Sequence, residues 1–323
     1  MCSDISNSPP HLFIFGYGYT VDFLGRTLLE QGWKISGTTR DVQKRNALRT
    51  QGVNAYVFDS DKPLGDPLAM FDGVTHLLIS TPPDQEGDLV CRLHGDDILN
   101  IPSLEWIGYL STTSVYGDRD GGFVDEDSEL RPTSIRGSRR VRAEHDLKQL
   151  ADAKKIPLDI FRMAGIYGPG RSALDSVRAG IKRRILKAGH AFSRVYVEDV
   201  VNVILKSIES ANTPKTRVFN VADDEAAPSH EVIAYACRLL GQDPPPLVPF
   251  EEANLAPITL SFYSDNKRIK NEKIKKELGI VLKFPNYRAG LEAVLALENF
   301  YKEHGENPPW DLQISEDSNA RNF

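Results

Sequence analysis

Apolar residues in the first half of this chain fall in short unbroken runs, not in strict alternation. Residues 12–15 are four apolar residues in succession, the pattern of a strand buried on both faces. Comparable runs follow at 55–58, 76–80, 106–110 and 158–161, with a more polar one at 32–37. Helix-length segments separate them, and residues 139–153 show a polar-faced helical pattern. Strands alternating with helices predict parallel pairing in a doubly wound α/β sheet, whose ligands sit at the carboxyl ends of the strands. Beyond Gly165 the pattern loosens. It predicts a basic helix or helix pair over 173–187, strands at 195–197 and 218–221, and a helix over 199–210 between those strands. Ser229 is placed to cap a helix reaching Leu240, residues 241–246 form a stiff Pro-rich connector, and a final amphipathic helix covers 287–304.

The first run leads into Gly16-Tyr17-Gly18, after which a helix begins near Tyr19. A strand, a glycine turn and a helix N-terminus present backbone N–H groups where a pyrophosphate can rest. Gly16, Gly18, Tyr19 and Thr20 are therefore cofactor candidates. The third small position of such a fingerprint is Val21, which predicts a helix set slightly off its strand. The second strand ends at Thr38, Thr39 and Arg40, where a dinucleotide fold meets the adenosine ribose. Two hydroxyls and a guanidinium suit a 2′-phosphate and favour NADP over NAD, although Asp41 follows directly. Asp59 ends the third strand and can touch the adenine edge; Ser80, Thr81 and Pro82 form the loop after the fourth.

The 323 residues carry 41% hydrophobic and 26% charged residues and a net charge of −6. This is the composition of a soluble globular chain, and the negative balance argues against nucleic-acid binding as a main role. No apolar run is long enough for a membrane span. Residues 1–10 lack the features of a secretory signal and read as a frayed leader. Cys2, Cys91 and Cys237 lack metal spacing and suit a reducing, cytoplasmic setting. The seven histidines show no ligand spacing, so no metal is expected.

Four stretches in order carry a resemblance that spans about residues 11–304. They are residues 110–117 (LSTTSVYG), 162–170 (RMAGIYGPG), 194–200 (RVYVEDV) and 219–221 (FNV). Together with the glycine turn they make the chain similar to the extended short-chain dehydrogenase/reductase superfamily, in its NAD-dependent epimerase/dehydratase-like branch. The resemblance implies an α/β fold: a Rossmann-type doubly wound parallel sheet with a smaller C-terminal substrate lobe. The core would cover residues 11–163 and return at about 194–222, with the lobe at 164–193 and 223–304 and flexible tails at 1–10 and 305–323. It further implies an oxidoreductase or epimerase-like enzyme using NADP or NAD on a small-molecule substrate. A homodimer is common in such proteins. Thr112 falls at the position whose hydroxyl meets the substrate's reacting oxygen. Thr113, Ser114, Tyr116, Tyr167 and Arg171 would line the substrate site, and Ile166 would flank the nicotinamide. Thr113 and Ser114 stand where the sugar-nucleotide dehydratases carry an acidic pair, which argues against that elimination.

The chain departs from the family at its acid–base pair. The motif PxxxYGxSKxxxE registers without a gap on Pro132, Gly137 and Glu144, placing Arg136 at the Tyr position and Arg140 at the Lys position. Arginine stays protonated and cannot shuttle a proton near neutral pH, so the usual relay is absent. Arg140 retains the charge to bind nicotinamide ribose hydroxyls. Arg136 either clamps a substrate carboxylate or phosphate or belongs to a solvated Arg–Arg–Glu ladder in which Glu144 relieves Arg140. Tyr116 or Tyr167 could alternatively donate a proton, and Arg171 with the basic run 182–187 could contact a substrate pyrophosphate. Two readings stay open: an enzyme, or a non-catalytic NADPH-binding regulatory protein.

Overall fold

The computed structural model describes residues 8–310; the expected leader up to residue 7, with Cys2, and the tail from 311 lie outside the described residues. The chain divides into two compact units. The first comprises Met1–Ser111, Arg139–Arg162 and Ile204–Phe219; the second comprises Thr112–Ser138, Met163–Val203 and Asn220–Phe323. Residues 112–138, read with the dinucleotide core from the sequence, thus cluster with the second unit.

The first unit is built on a seven-stranded sheet. Its strands include β1 (His11–Phe15), β2 (Lys34–Thr39), β3 (Asn54–Val57), β4 (His76–Ile79) and β5 (Trp106–Thr112). Leu158–Met163 and Thr216–Val221 complete it, and the order runs Thr216–Val221, Leu158–Met163, β5, β4, β1, β2, β3. Pairing is parallel at β1–β2, β1–β4, β2–β3 and β4–β5. The glycine turn therefore leaves the middle of the sheet, where strand order reverses and ligands sit in such folds. Every residue of β1 is buried. Phe13 packs edge-on to Phe71 and Phe15 to Phe58, with centroids 4.9 and 5.1 Å apart, each buried ring contributing about 1.5–3 kcal/mol.

Helix α1 (Tyr19–Glu30) follows β1, and α2 (Val42–Thr50) is started by Asp41, whose carboxylate accepts the Lys44 N–H at 2.6 Å. At the other edge Asp159, fully buried, accepts from Trp106 Nε1, Ser207 Oγ and the Arg217 guanidinium. The helix expected over 139–153 spans Ile135–Lys154, which puts Arg136 in its first turn.

The second unit is made of short parallel strand pairs and helices. Gly165–Tyr167 pairs with Arg194–Tyr196, Arg184–Leu186 with Leu247–Pro249, and Phe123–Val124 with Arg268–Ile269. Two sequence expectations are corrected here. The helical reading of 173–187 holds only for Ala173–Arg178; the basic run continues as the strand Arg184–Leu186, where Arg184 donates to the Pro245 carbonyl. Ser229 is the first residue of its helix and not its cap, since Pro228 occupies that place without a side-chain bond. The final helix is Tyr287–His304, and the chain continues to Trp310, buried edge-on against Tyr301 at 5.3 Å.

Candidate dinucleotide and substrate sites

Gly16 has φ +85°, and a Cβ there would lie 3.0 Å from Cγ2 and N of Thr81. Only glycine lets β1 turn this close to the loop after β4. The turn is held internally. Gly16 N–H donates to Thr38 Oγ1, Tyr17 N–H to the Thr38 carbonyl and Gly18 N–H to the Gly16 carbonyl. These three amides are therefore committed to the fold. Gly18 caps α1 without a side-chain bond, and a helix start leaves its first N–H groups without intrahelical acceptors. Beside it, the Tyr17 ring lies where a Cβ on Gly25 would come within 2.0 Å of its hydroxyl and one on Gly37 within 2.6 Å of Cδ2. Val21, the non-glycine third position, is fully buried.

Around this turn, Thr39 Oγ1 accepts the Asp41 N–H at 3.3 Å. Arg40 is exposed and has no hydrogen-bond or ion-pair partner among the described residues. Asp41 is engaged at the start of α2 through the Lys44 N–H. Asp59 bonds the Ser60 N–H, and Ser80 N–H bonds the Phe15 carbonyl. Thr81 Oγ1 is buried with no partner among the described residues, while Pro82 is exposed.

Arg140 projects onto the end of β5. Its Nη1 donates to Tyr109 Oη at 2.9 Å and to the Leu110 carbonyl at 2.8 Å, with the guanidinium 5.5 Å from the Tyr109 ring centroid. Its remaining donors have no partner among the described residues. Glu144 does not relieve it. That carboxylate is buried and accepts from Ser111 Oγ at 2.5 Å and from Arg162 Nε and Nη2 at 3.2 and 2.9 Å. The solvated Arg–Arg–Glu ladder is thereby corrected: the third member faces inward to a different arginine.

In the second unit, Thr112 ends its strand and accepts the Ser114 N–H on Oγ1 at 3.2 Å, opening a 3₁₀ turn over Thr113–Tyr116. Thr112, Thr113 and Ser114 are half-buried. Tyr116, expected to face substrate, is fully buried and donates to Asn220 Oδ1 at 2.7 Å. Tyr167 is likewise buried; its hydroxyl donates to the Asn286 carbonyl at 3.2 Å and sits where a Cβ on Gly290 would be 2.1 Å away. Burial drives the Tyr167 phenol well above its ordinary value, so neither phenol stands ready to donate a proton to a ligand. Arg136 is exposed and without a hydrogen-bond or ion-pair partner among the described residues. Arg171 is exposed beyond a two-way backbone bridge with Gly168, and Ile166 is half-buried.

Sequence reasoning missed two buried acids. Asp223 has an unpartnered Oδ2, and burial pushes its carboxyl up to about 8 against the opposing charge of Arg194. Asp88 likewise carries an unpartnered Oδ2, with its carboxyl pushed up to about 6 by burial. Both read locally as ordinary turn acids, and only the tertiary fold buries them. Among the described residues no group of three or more His, Cys, Asp or Glu is placed to hold a metal ion, and no helix is long and apolar enough to cross a membrane.

Residues 103–222 match the model of the NAD dependent epimerase/dehydratase family. The chain is 47% identical to a conserved protein of unknown function from Silicibacter pomeroyi DSS, covering 90% of this chain and 99% of that one with a TM-score of 0.81. It is 27% identical over 245 residues to protein YeeZ of Escherichia coli strain K12, or 72% of this chain and 84% of that protein. The fold alone is shared with a UDP-glucuronic acid 4-epimerase from Bacillus cereus in complex with NAD. There identity is 16%, the TM-score 0.70, and coverage 90% of this chain and 99% of that one.

Proposed function

We propose, from the premise that this chain belongs to the NAD dependent epimerase/dehydratase family, that it is an oxidoreductase or epimerase-like enzyme. It binds NADP in preference to NAD and acts on a small anionic or nucleotide-linked substrate without the family's Tyr/Lys relay. The observation that carries the reading is the start of α1, which lacks a side-chain cap directly behind the positive-φ Gly16 turn. Anions are favoured at such a helix start. The buried, unpartnered Thr81 hydroxyl on the loop facing Gly16 is a second polar group that a dinucleotide would satisfy. In this reading the first turn of α1 holds the pyrophosphate, Arg40 the 2′-phosphate and Arg140 the nicotinamide ribose hydroxyls. When bound, the nicotinamide ring supplies reversible hydride transfer.

Thr112 supports the substrate role. Its Oγ1 accepts one backbone N–H and keeps its own proton available to a substrate oxygen. Arg136 binds a carboxylate or phosphate on the substrate bidentately. Because a guanidinium does not release its proton, neither arginine moves a proton to the reacting oxygen, and the ~10²–10⁴-fold help of a general acid must come from solvent or substrate.

The test is a fluorescence titration with NADPH and NADH. Arg40→Ala should weaken NADPH by roughly 10- to 100-fold, from the ~1.5–3 kcal/mol of hydrogen bonds to a charged group, and leave NADH unchanged. Equal effects on both nucleotides would refute the 2′-phosphate assignment. A second reading, an NADPH-binding regulatory protein, is favoured by the arginines at both acid–base positions. NADPH binding without oxidation across a panel of carbonyl compounds and nucleotide sugars selects it.

A further inference from the structure

The helix Ile135–Lys154 turns Ala143 and Leu147 into the same buried cluster as Tyr109 of β5. Arg140 stands one turn ahead of Ala143, and the periodicity of a helix puts it at the head of that inward stripe. A half-buried cation there needs acceptors, and β5 supplies two. Arg140 Nη1 donates to Tyr109 Oη at 2.9 Å and to the Leu110 carbonyl at 2.8 Å. A terminal guanidinium nitrogen carries two N–H groups, so both are engaged by the strand. The guanidinium is planar and rigid. With one nitrogen held twice, its other edge, Nε and Nη2, is left a single direction. That edge has no hydrogen-bond or ion-pair partner among the described residues.

We infer that Tyr109 is a positioning residue for Arg140: its buried hydroxyl, together with the Leu110 carbonyl, fixes the free edge of the guanidinium for the nicotinamide ribose hydroxyls of a dinucleotide. This rests on the reading that Arg140 meets that ribose. Tyr109 is fully buried, and burial drives its phenol well above its ordinary value. The hydroxyl therefore stays neutral, a constant acceptor for the guanidinium. The ring contributes separately, lying 5.5 Å from the guanidinium carbon. Phenylalanine at this position would keep the ring and its packing and remove the oxygen alone. An ammonium at position 140 would rotate its donors to suit whatever it met and gain little from a fixed partner. A planar fork gains direction from one, which is why the arginine at the family's Lys position gives the Tyr109 oxygen a role.

The experiment uses the full chain at a single pH, with two readouts. The first needs no nucleotide. In nitrogen NMR of the guanidinium groups, the Arg140 signal is identified by its loss in Arg140→Met. The wild type should show two distinct Nη resonances, because the bonds to β5 hinder rotation of Nη1. Tyr109→Phe should speed their exchange, and an unchanged pair overturns the positioning whatever the nucleotide does. In the second, NADPH, NADH and 2′,5′-ADP, the adenosine half alone, are titrated by calorimetry. Tyr109→Phe should weaken NADPH and NADH alike on the order of tenfold, the low end for one hydrogen bond to a charged group. It should leave 2′,5′-ADP unchanged, which also shows that the variant folds. In an Arg140→Met background the same substitution should have no further effect. A merely structural phenol would disturb 2′,5′-ADP along with the dinucleotides or act equally in both backgrounds, and either result refutes the inference. So does wild-type NADPH affinity in Tyr109→Phe. The expected NMR behaviour with no dinucleotide bound by the wild type would instead refute the dinucleotide reading, and with it the role given to Arg140.

Discussion

Tyr116 and Gly16 sit in stretches that read alike as functional motifs, yet their side-chain demands differ. Gly16 is constrained by its backbone: Gly16→Ala would force a β-carbon into positive φ and against Thr81. Positive φ costs a non-glycine residue about 1–2 kcal/mol, and the displaced turn should weaken NADPH by roughly tenfold or more in a fluorescence titration. Tyr116 is constrained by its partner. Tyr116→Phe leaves Asn220 Oδ1 without its donor in the interior, which should lower stability by about 1–3 kcal/mol in urea unfolding and leave NADPH affinity unchanged. The sequence made the glycine legible because a turn is local. It misplaced the tyrosine because a 3₁₀ turn and a partner 104 residues away decide where the phenol goes.

Elements were legible in proportion to how locally their residues decide them. The apolar runs of β1, β4 and β5 identify themselves, since strands buried on both faces need nothing but apolar residues. The basic run around Arg184 does not. Its strand exists because Leu247–Pro249 pairs with it, a partner about sixty residues on. Helix Ile135–Lys154 shows the same limit, for the ladder reading paired Glu144 with Arg140 on the helix surface, and the fold buries it against Arg162. The buried Glu144–Arg162 pair ties this helix to the sheet strand Leu158–Met163. Glu144→Gln should cost about 3–5 kcal/mol because it removes the charge that balances a buried guanidinium. In a double-mutant cycle with Arg162→Met the pair should show strong coupling, while Glu144→Gln combined with Arg140→Ala should be additive. Coupling to Arg140 instead would return Glu144 to the exposed ladder.

For the molecule as a whole, the buried titratable groups set a pH profile. Asp223 and Asp88 are raised to about 8 and about 6, so each adds stability at low pH that is lost as pH rises through the folded value. His190 and His76 are both lowered to about 4 by burial, so each adds stability at neutral pH that is lost as pH falls from 6.5 toward 4. Of these four groups one acid and one histidine fall in each unit, and between pH 4 and about 6 their two slopes oppose each other at ~1.4 kcal/mol per pH unit apiece. Of these four, Asp223 is the one still titrating above 6.5. Stability of the second unit should therefore decline by up to about 2 kcal/mol between pH 6.5 and 8, read as a falling urea midpoint. Asp223→Asn should abolish that decline; a midpoint that stays level in the wild type would show Asp223 ionised throughout.

The Tyr17 ring and the bare α-carbons of Gly25 and Gly37 share one volume. Occupancy there is exclusive: either an aromatic side chain on the turn or a methyl group on its flanks, not both. Gly25→Ala alone should lose several kcal/mol to overpacking, and Tyr17→Ala alone a comparable amount to a void. Combined, the two changes should cost less than their sum, so these positions are expected to exchange residues only as a pair.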